Sequence, residues 1–381
     1  MRVVHFSITP LAGAPIRLVQ VLNTHRAVEA RLVDAARWNV FDHDVVWAEA
    51  PDEAIALVEA ADVIHLHNGL DPTSRRFAPI DFVALRRAGK VVVRQFHSHP
   101  ASVARWSQLS EASLHETHVP SLVVGQFQER YYPNAYVVPN VLPLDDPRYR
   151  PSGRVGDGSV MFAFGKAYRH VGAWADRWNT KGVPETLALL HRLRARHGCP
   201  LRIVSDRSFD DALAARRASS IILDELVTGS YHLSSLEGLA AGRPTLAYPD
   251  DRCLRVLAEL AGTSECPFVR TPLEEAEATL TGLLADPDEA AAIGRSGRAW
   301  LERHWSAERM SACFVDVYET LRSDPAGLKR PASLRLDTDT ARRSAIVVPD
   351  EVHRARASGP AAARGLRGRL RRALLAVRNV L

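Results

Sequence analysis

The stretch Thr228-Gly-Ser-Tyr-His-Leu-Ser-Ser-Leu-Glu237-Gly-Leu-Ala-Ala-Gly-Arg-Pro244 carries the densest local signal in the chain. A glycine-containing loop leads into a short helix expected over 234–241. Glu237 lies one turn in, Ala241-Gly242 ends the helix, and Pro244 opens a strand. Such a loop brings backbone N–H groups to a helix N-terminus, where a phosphate or a polar sugar can be held. A carboxylate one turn further can accept from two neighbouring hydroxyls, such as those of a ribose. The same residues also describe a capped helix with a C-terminal glycine, and the local pattern leaves both open.

Working outward, short apolar runs alternate with helical segments on both sides. Strands are expected at 2–8, 63–66, 90–96, 121–124 and 136–138, then at 160–164, 201–204, 220–223 and 244–248. Helices are expected at 16–29, 79–88, 184–197, 208–217 and through most of 288–321, where Trp300, Trp305 and Phe314 are anchors that would brace the two halves. Strands in alternation with helices imply mostly parallel sheets covered on both faces, with ligands at their carboxyl edge. A Pro-, Asp- and Gly-rich stretch separates the halves. The expected layout is therefore a first Rossmann-like domain at 1–142, a linker at 143–158 and a second Rossmann-like domain at 159–322. A loosely ordered 323–360 and a basic amphipathic helix at 361–381 follow.

Composition narrows the classes. The chain has 381 residues, ordinary apolar content and four scattered cysteines without CxxC spacing, which argues against a disulfide scaffold and a cysteine zinc site. No run is long and apolar enough to span a membrane, and the opening residues do not read as a signal peptide. The net charge of +5 comes from the tail: eight arginines and no acidic residue lie beyond residue 352, and without them the body stands at −3. On that ground no nucleic acid is expected among the partners. The tail helix, with Leu366, Leu370, Leu374, Val377 and Leu381 along one face, would suit an anionic membrane surface or an acidic patch of the protein's own body. The expected location is cytoplasmic, peripheral on the inner face of a bacterial cell membrane.

With these residues quoted, the chain resembles the retaining nucleotide-sugar glycosyltransferases of the two-domain GT-B fold, family 4-like, over roughly 1–321. Ser230-Tyr-His-Leu233, Glu237 and Gly242-Arg-Pro244 match the later part of that family's signature; its first glutamate falls on Gly229. The resemblance implies that Glu237 binds the donor ribose, and that Ser230, Tyr231, His232 and Leu233 line the donor. Lys181-Gly182, with Arg177 four residues earlier and Lys166 further upstream, resembles the family's basic step that holds the donor diphosphate. Fixed positive charge there would stabilise the leaving group without a metal. Phe96-His97, ending a strand, resembles the family's histidine at the donor sugar, with His99 as second choice. Gly13 resembles its glycine loop near the donor.

The implied activity is transfer of a hexose from a nucleotide-diphosphate sugar to a hydroxyl acceptor: a glycan, a lipid-linked sugar or a small molecule. His97, Lys181 and Arg177 would be catalytic. No further cofactor and no metal are expected. His65 and His67 share one side of a strand end, but the sequence identifies no third ligand. A nucleotide-sugar epimerase and a non-catalytic sugar-nucleotide or glycan-binding protein remain the alternatives. A dehydrogenase is disfavoured because no G-x-G-x-x-G follows a strand.

Overall fold

The computed structural model describes residues 1–352 except Asn39, Val155, 166–180 and Asp206. Lys166, Arg177 and the expected helix at 361–381 therefore lie outside the described residues.

The first half starts with β1 (Arg2–Ser7), α1 (Ala14–His25), β2 (Glu29–Asp34) and β3 (Val45–Val46). It continues through α2 (Pro51–Ala60), β4 (Val63–His67), α3 (Phe82–Arg87), β5 (Val91–Phe96), α4 (Pro100–Ser107) and α5 (Glu111–Leu114). β6 (Ser121–Val124) and β7 (Tyr136–Val138) complete it. These strands form one seven-stranded sheet in the order β3-β2-β1-β4-β5-β6-β7, with every pairing parallel.

The second half holds β8 (Val160–Ala163), α6 (Val183–His197), β9 (Leu201–Val204), α7 (Phe209–Ala218) and β10 (Ile221–Glu225). α8 (Leu233–Ala240), β11 (Thr245–Ala247), α9 (Asp251–Ala261) and β12 (Val269–Arg270) follow. Its five-stranded sheet runs β12-β11-β10-β8-β9, again all parallel. Both orders are doubly wound, so each sheet has one point where its winding reverses: between β1 and β4, and between β8 and β10. The chain is an α/β protein of two Rossmann-like domains with GT-B architecture.

Three strands were not legible in the sequence. β2 is masked by Glu29 and Arg31, yet it lies inside the sheet. Arg31 is neutralised by Asp44 and Glu53 at 2.8 and 2.9 Å. β3 and β12 are two residues each.

α10 (Ala276–Ala285) leads to α11 (Pro287–His304) and α12 (Ala307–Ser323), broken at Trp305 where one helix was expected. Trp305 is fully buried and its indole N–H donates to the Asn140 carbonyl at 2.8 Å. α12 returns to the first domain and packs on α1. Where 323–360 was expected loose, Leu334 and Leu336 are buried. Arg330 pairs with Glu129, and the Ala345 carbonyl accepts from Arg130 at 2.7 Å. Buried apolar groups and a buried ion pair hold residues 330–345 of this segment to the body although its composition is polar. α13 (Asp339–Arg342) belongs to it. Among the described residues no helix is long and apolar enough to cross a membrane.

Candidate functional site

β10 delivers Asp224 and Glu225 to the reversal point of the second sheet, both fully buried. Lys181 and Gly182 enter α6 in left-handed conformations, φ +52° and +59°. A Cβ at Gly182 would stand 2.2 Å from Val227, so only glycine fits. This turn sets Lys181 Nζ 3.0 Å from Asp224 Oδ1 and 3.4 Å from Ser234 Oγ.

Asp224 also accepts the His232 backbone N–H at 3.0 Å and the hydroxyls of Ser234 and Ser235, and lies 3.2 Å from His232 Nδ1. Burial alone would raise its pKa, but Lys181, His232 and Ser234 hold it well below the usual carboxylate range. The donors of the α8 N-terminus thus converge on an internal anion, which is what their dipole favours. Burial pushes the neighbouring Glu225 carboxyl up. Its Oε1 accepts from Val227 and Thr228, each at 2.7 Å.

The other residues singled out at this end join the two domains. Ser230 Oγ accepts from the Phe127 N–H at 3.3 Å, and the Tyr231 hydroxyl donates to the Gly125 carbonyl at 3.0 Å. Leu233 lies in an apolar cluster shared by both halves, and His232 precedes α8 as its N-cap. Glu237 is buried between two arginines. Oε1 takes Arg17 of α1 and Oε2 takes Arg216 of α7, both at 2.7 Å. Arg17 in turn lies over the Phe209 ring at 4.6 Å. Sequence alone held no signal for this triad, because its members lie far apart along the chain.

Gly13 is the left-handed N-cap of α1 (φ +78°), and a Cβ there would come within 2.8 Å of the Phe41 ring. Gly229 is also left-handed (φ +85°), with Asp250 3.2 Å from its would-be Cβ.

In the first sheet, His97 is drawn into a chain of imidazoles. His97 Nε2 lies 3.1 Å from His67 Nδ1, and His67 Nε2 lies 3.0 Å from His5 Nδ1. His65 Nδ1 meets the Tyr318 hydroxyl at 2.8 Å. Desolvation lowers His5 and His97 to about 3, and His65 and His67 well below their ordinary value, so all four are neutral at pH 7. His99 instead caps α4, its Nδ1 accepting from Ala101 N at 3.3 Å. His5 was not singled out in the sequence. Its signal was there: an inward position of the opening strand, which parallel pairing places opposite His65. A cavity of about 470 Å³ lined by Arg154, Arg243, Arg295 and Arg298 opens elsewhere on the second domain and includes none of these residues.

No family model matches this sequence, and no curated protein matches it. The solved structures do match. Sucrose-phosphate synthase from Thermosynechococcus elongatus aligns at 14% identity and TM-score 0.51, covering 85% of this chain and 99% of that one. Anabaena HepE in complex with UDP and glucose aligns at 13% identity and TM-score 0.55, covering 84% of this chain and 100% of that one. An alpha-glucosyltransferase in complex with UDP-glucose and DNA containing an abasic site aligns at 14% identity and TM-score 0.55, covering 84% and 99%. At these identities the likeness is one of fold.

The third match corrects one expectation. Nucleic acid was excluded as a partner from the charge of the body alone. A structure of this same fold holds DNA, so net charge does not decide the matter and the exclusion is withdrawn.

Proposed function

We infer that this chain is a nucleotide-sugar-handling enzyme that transfers the sugar to a hydroxyl acceptor with retention of configuration. The observation that carries this reading is the ammonium of Lys181, at the start of α6, lying beside the N-terminus of α8, 3.4 Å from Ser234 Oγ, at the reversal point of the second sheet. A donor diphosphate would exchange with Asp224 as the partner of Lys181 and of the helix N-terminus. Lys181 would then stabilise the charge that develops as the sugar C1–oxygen bond to the diphosphate breaks. The acceptor oxygen bonds to C1, and its proton passes to the leaving diphosphate. Each Glu237 oxygen uses one lone pair on an arginine, which leaves lone pairs for ribose hydroxyls. His97, neutral at the edge of the first sheet, is assigned to the sugar end, and Gly13 to the wall beside it.

A second reading, a non-catalytic sugar-nucleotide binder, is favoured by Gly229. The resemblance would put a sugar-binding glutamate at this position, but the left-handed backbone and Asp250 disfavour one.

A panel of nucleotide sugars, scored by thermal stabilisation and then by turnover with and without acceptor hydroxyls, tests both. Lys181→Ala, checked for folding by circular dichroism, should lose donor affinity and at least 100-fold in turnover, the magnitude of roughly 3 kcal/mol of lost charge stabilisation. Equal donor affinity and turnover in that variant would remove Lys181 from the site. Donor binding without transfer or hydrolysis would favour the binder.

A further inference from the structure

The reversal point of the first sheet holds three histidines that the transfer reaction does not use. His5 lies on β1, His65 and His67 on β4, and the strand register sets His5 beside His65. None is more than 1% exposed. Their rings stack with centroids 4.4, 4.7 and 5.3 Å apart. One ring nitrogen from each lies within 4.8 Å of the other two. His5 Nε2 and His65 Nε2 make no hydrogen bond of ordinary geometry among the described residues, although Gln95 neighbours His65. Burying an imidazole nitrogen without a partner is unfavourable, and two such atoms in one spot point to a missing ligand rather than to packing.

We propose that His5, His65 and His67 form a buried binding site for a divalent transition-metal ion, of which Zn²⁺ is the type. Three imidazoles without a carboxylate are the donor set of zinc, copper and nickel, not of magnesium or calcium. The surrounding contacts already orient two of the rings. If His65 Nδ1–H donates to the Tyr318 hydroxyl, its Nε2 lone pair is free for a metal. If His67 Nδ1–H donates to His97 Nε2, the same holds for His67 Nε2.

The ion would displace the contact between His5 Nδ1 and His67 Nε2, with His5 turning its unpartnered Nε2 onto it. Zinc bonds of roughly 2.0–2.1 Å would bring tetrahedral ligands closer than the present spacing, so binding requires the stacked rings to turn. Three protein nitrogens leave a tetrahedral ion one position, where a hydroxide would lower the charge carried into the core to +1.

The test uses untagged full-length protein, stripped with chelator and dialysed, then titrated with Co²⁺ and Zn²⁺. One equivalent of Co²⁺ should give the intense visible bands of a tetrahedral site, and Zn²⁺ should displace it. Zinc-edge absorption should show three imidazole nitrogens at ~2.0 Å. His5→Gln and His67→Gln, folded by circular dichroism, should weaken Zn²⁺ binding by roughly 100-fold, and Tyr318→Phe by about 10-fold. His118→Gln, at an exposed position, should bind as the native protein does. The proposal is overturned by spectra of hydrated Co²⁺ only, by a zinc edge without imidazole scattering, or by unchanged affinity in His5→Gln. A hydrogen-bonded imidazole chain with no metal would give the first two results from the native protein alone, whatever the variants do.

Discussion

At Gly229 the backbone is left-handed, and a side chain would meet Asp250. Gly229→Glu should therefore cost stability, about 1–2 kcal/mol by chemical denaturation, and should not raise turnover even though it restores the glutamate of the resembling signature. Asp34 gives a pH signature. It is buried at 3% exposure and 3.1 Å from His43 Nδ1, and desolvation raises its carboxyl to about 6 despite the opposing pull of His43. A folded pKa above the unfolded value means the native state binds the extra proton between about 4 and 6. The stability this group contributes is present below that window and is lost as pH rises through it. Asp34→Asn keeps the hydrogen-bonding shape without the charge. Its stability relative to the native chain should increase by roughly 1 kcal/mol per pH unit from pH 4 to 6 and level off above, as read by urea denaturation at stepped pH.

At the scale of elements, two buried Arg–Glu–Arg triads connect helices that the sequence keeps far apart. Glu237 of α8 holds Arg17 of α1 and Arg216 of α7. Glu129, in the 3-10 turn Phe127–Tyr131, holds Arg252 of α9 and Arg330 of the segment beyond α12. Each charge is largely desolvated, so removing the central carboxylate leaves two unmatched guanidiniums. Glu237→Gln should lose about 3–5 kcal/mol. Arg17→Met should lose less, because Arg216 remains to neutralise Glu237. If Glu237→Gln unfolds at the same urea concentration as the native protein, the triad has no structural weight. The same elements explain why Ser230 and Tyr231 are buried: the loop between β10 and α8 is a seam between domains.

For the whole molecule, α12 and the segment behind it are the clasp. Tyr318 reaches His65, Trp305 reaches Asn140, and Arg330 reaches Glu129, all contacts from the chain's later half to its first domain. A chain ending at residue 323 keeps α12 but removes Arg330, Leu334 and Leu336. It should melt lower than the full chain and expose apolar surface to a hydrophobic dye. An unchanged melting temperature would show that the segment adds nothing to the clasp.

The local sequence was enough for the doubled α/β plan, most strand and helix positions, and the placing of Lys181 before a helix, Glu237 inside one and His97 after a strand. Apolar runs of four to six residues, glycine and proline stops and helix caps are short-range features, and short-range sterics and burial settle them. β2 escaped because its charges are neutralised by Asp44 and Glu53, partners brought close only by folding. Tertiary structure alone decided the rest. It paired Glu237 with Arg17 and Arg216, set Asp224 at the α8 N-terminus, and held the polar segment after residue 323 against the body. It also brought His5 beside His65 and His67, a third buried imidazole that spacing along one strand could not reveal. Each of these depends on which strands lie side by side and which side chains lose water together, and such partners are separated by tens to hundreds of residues. No local pattern encodes them.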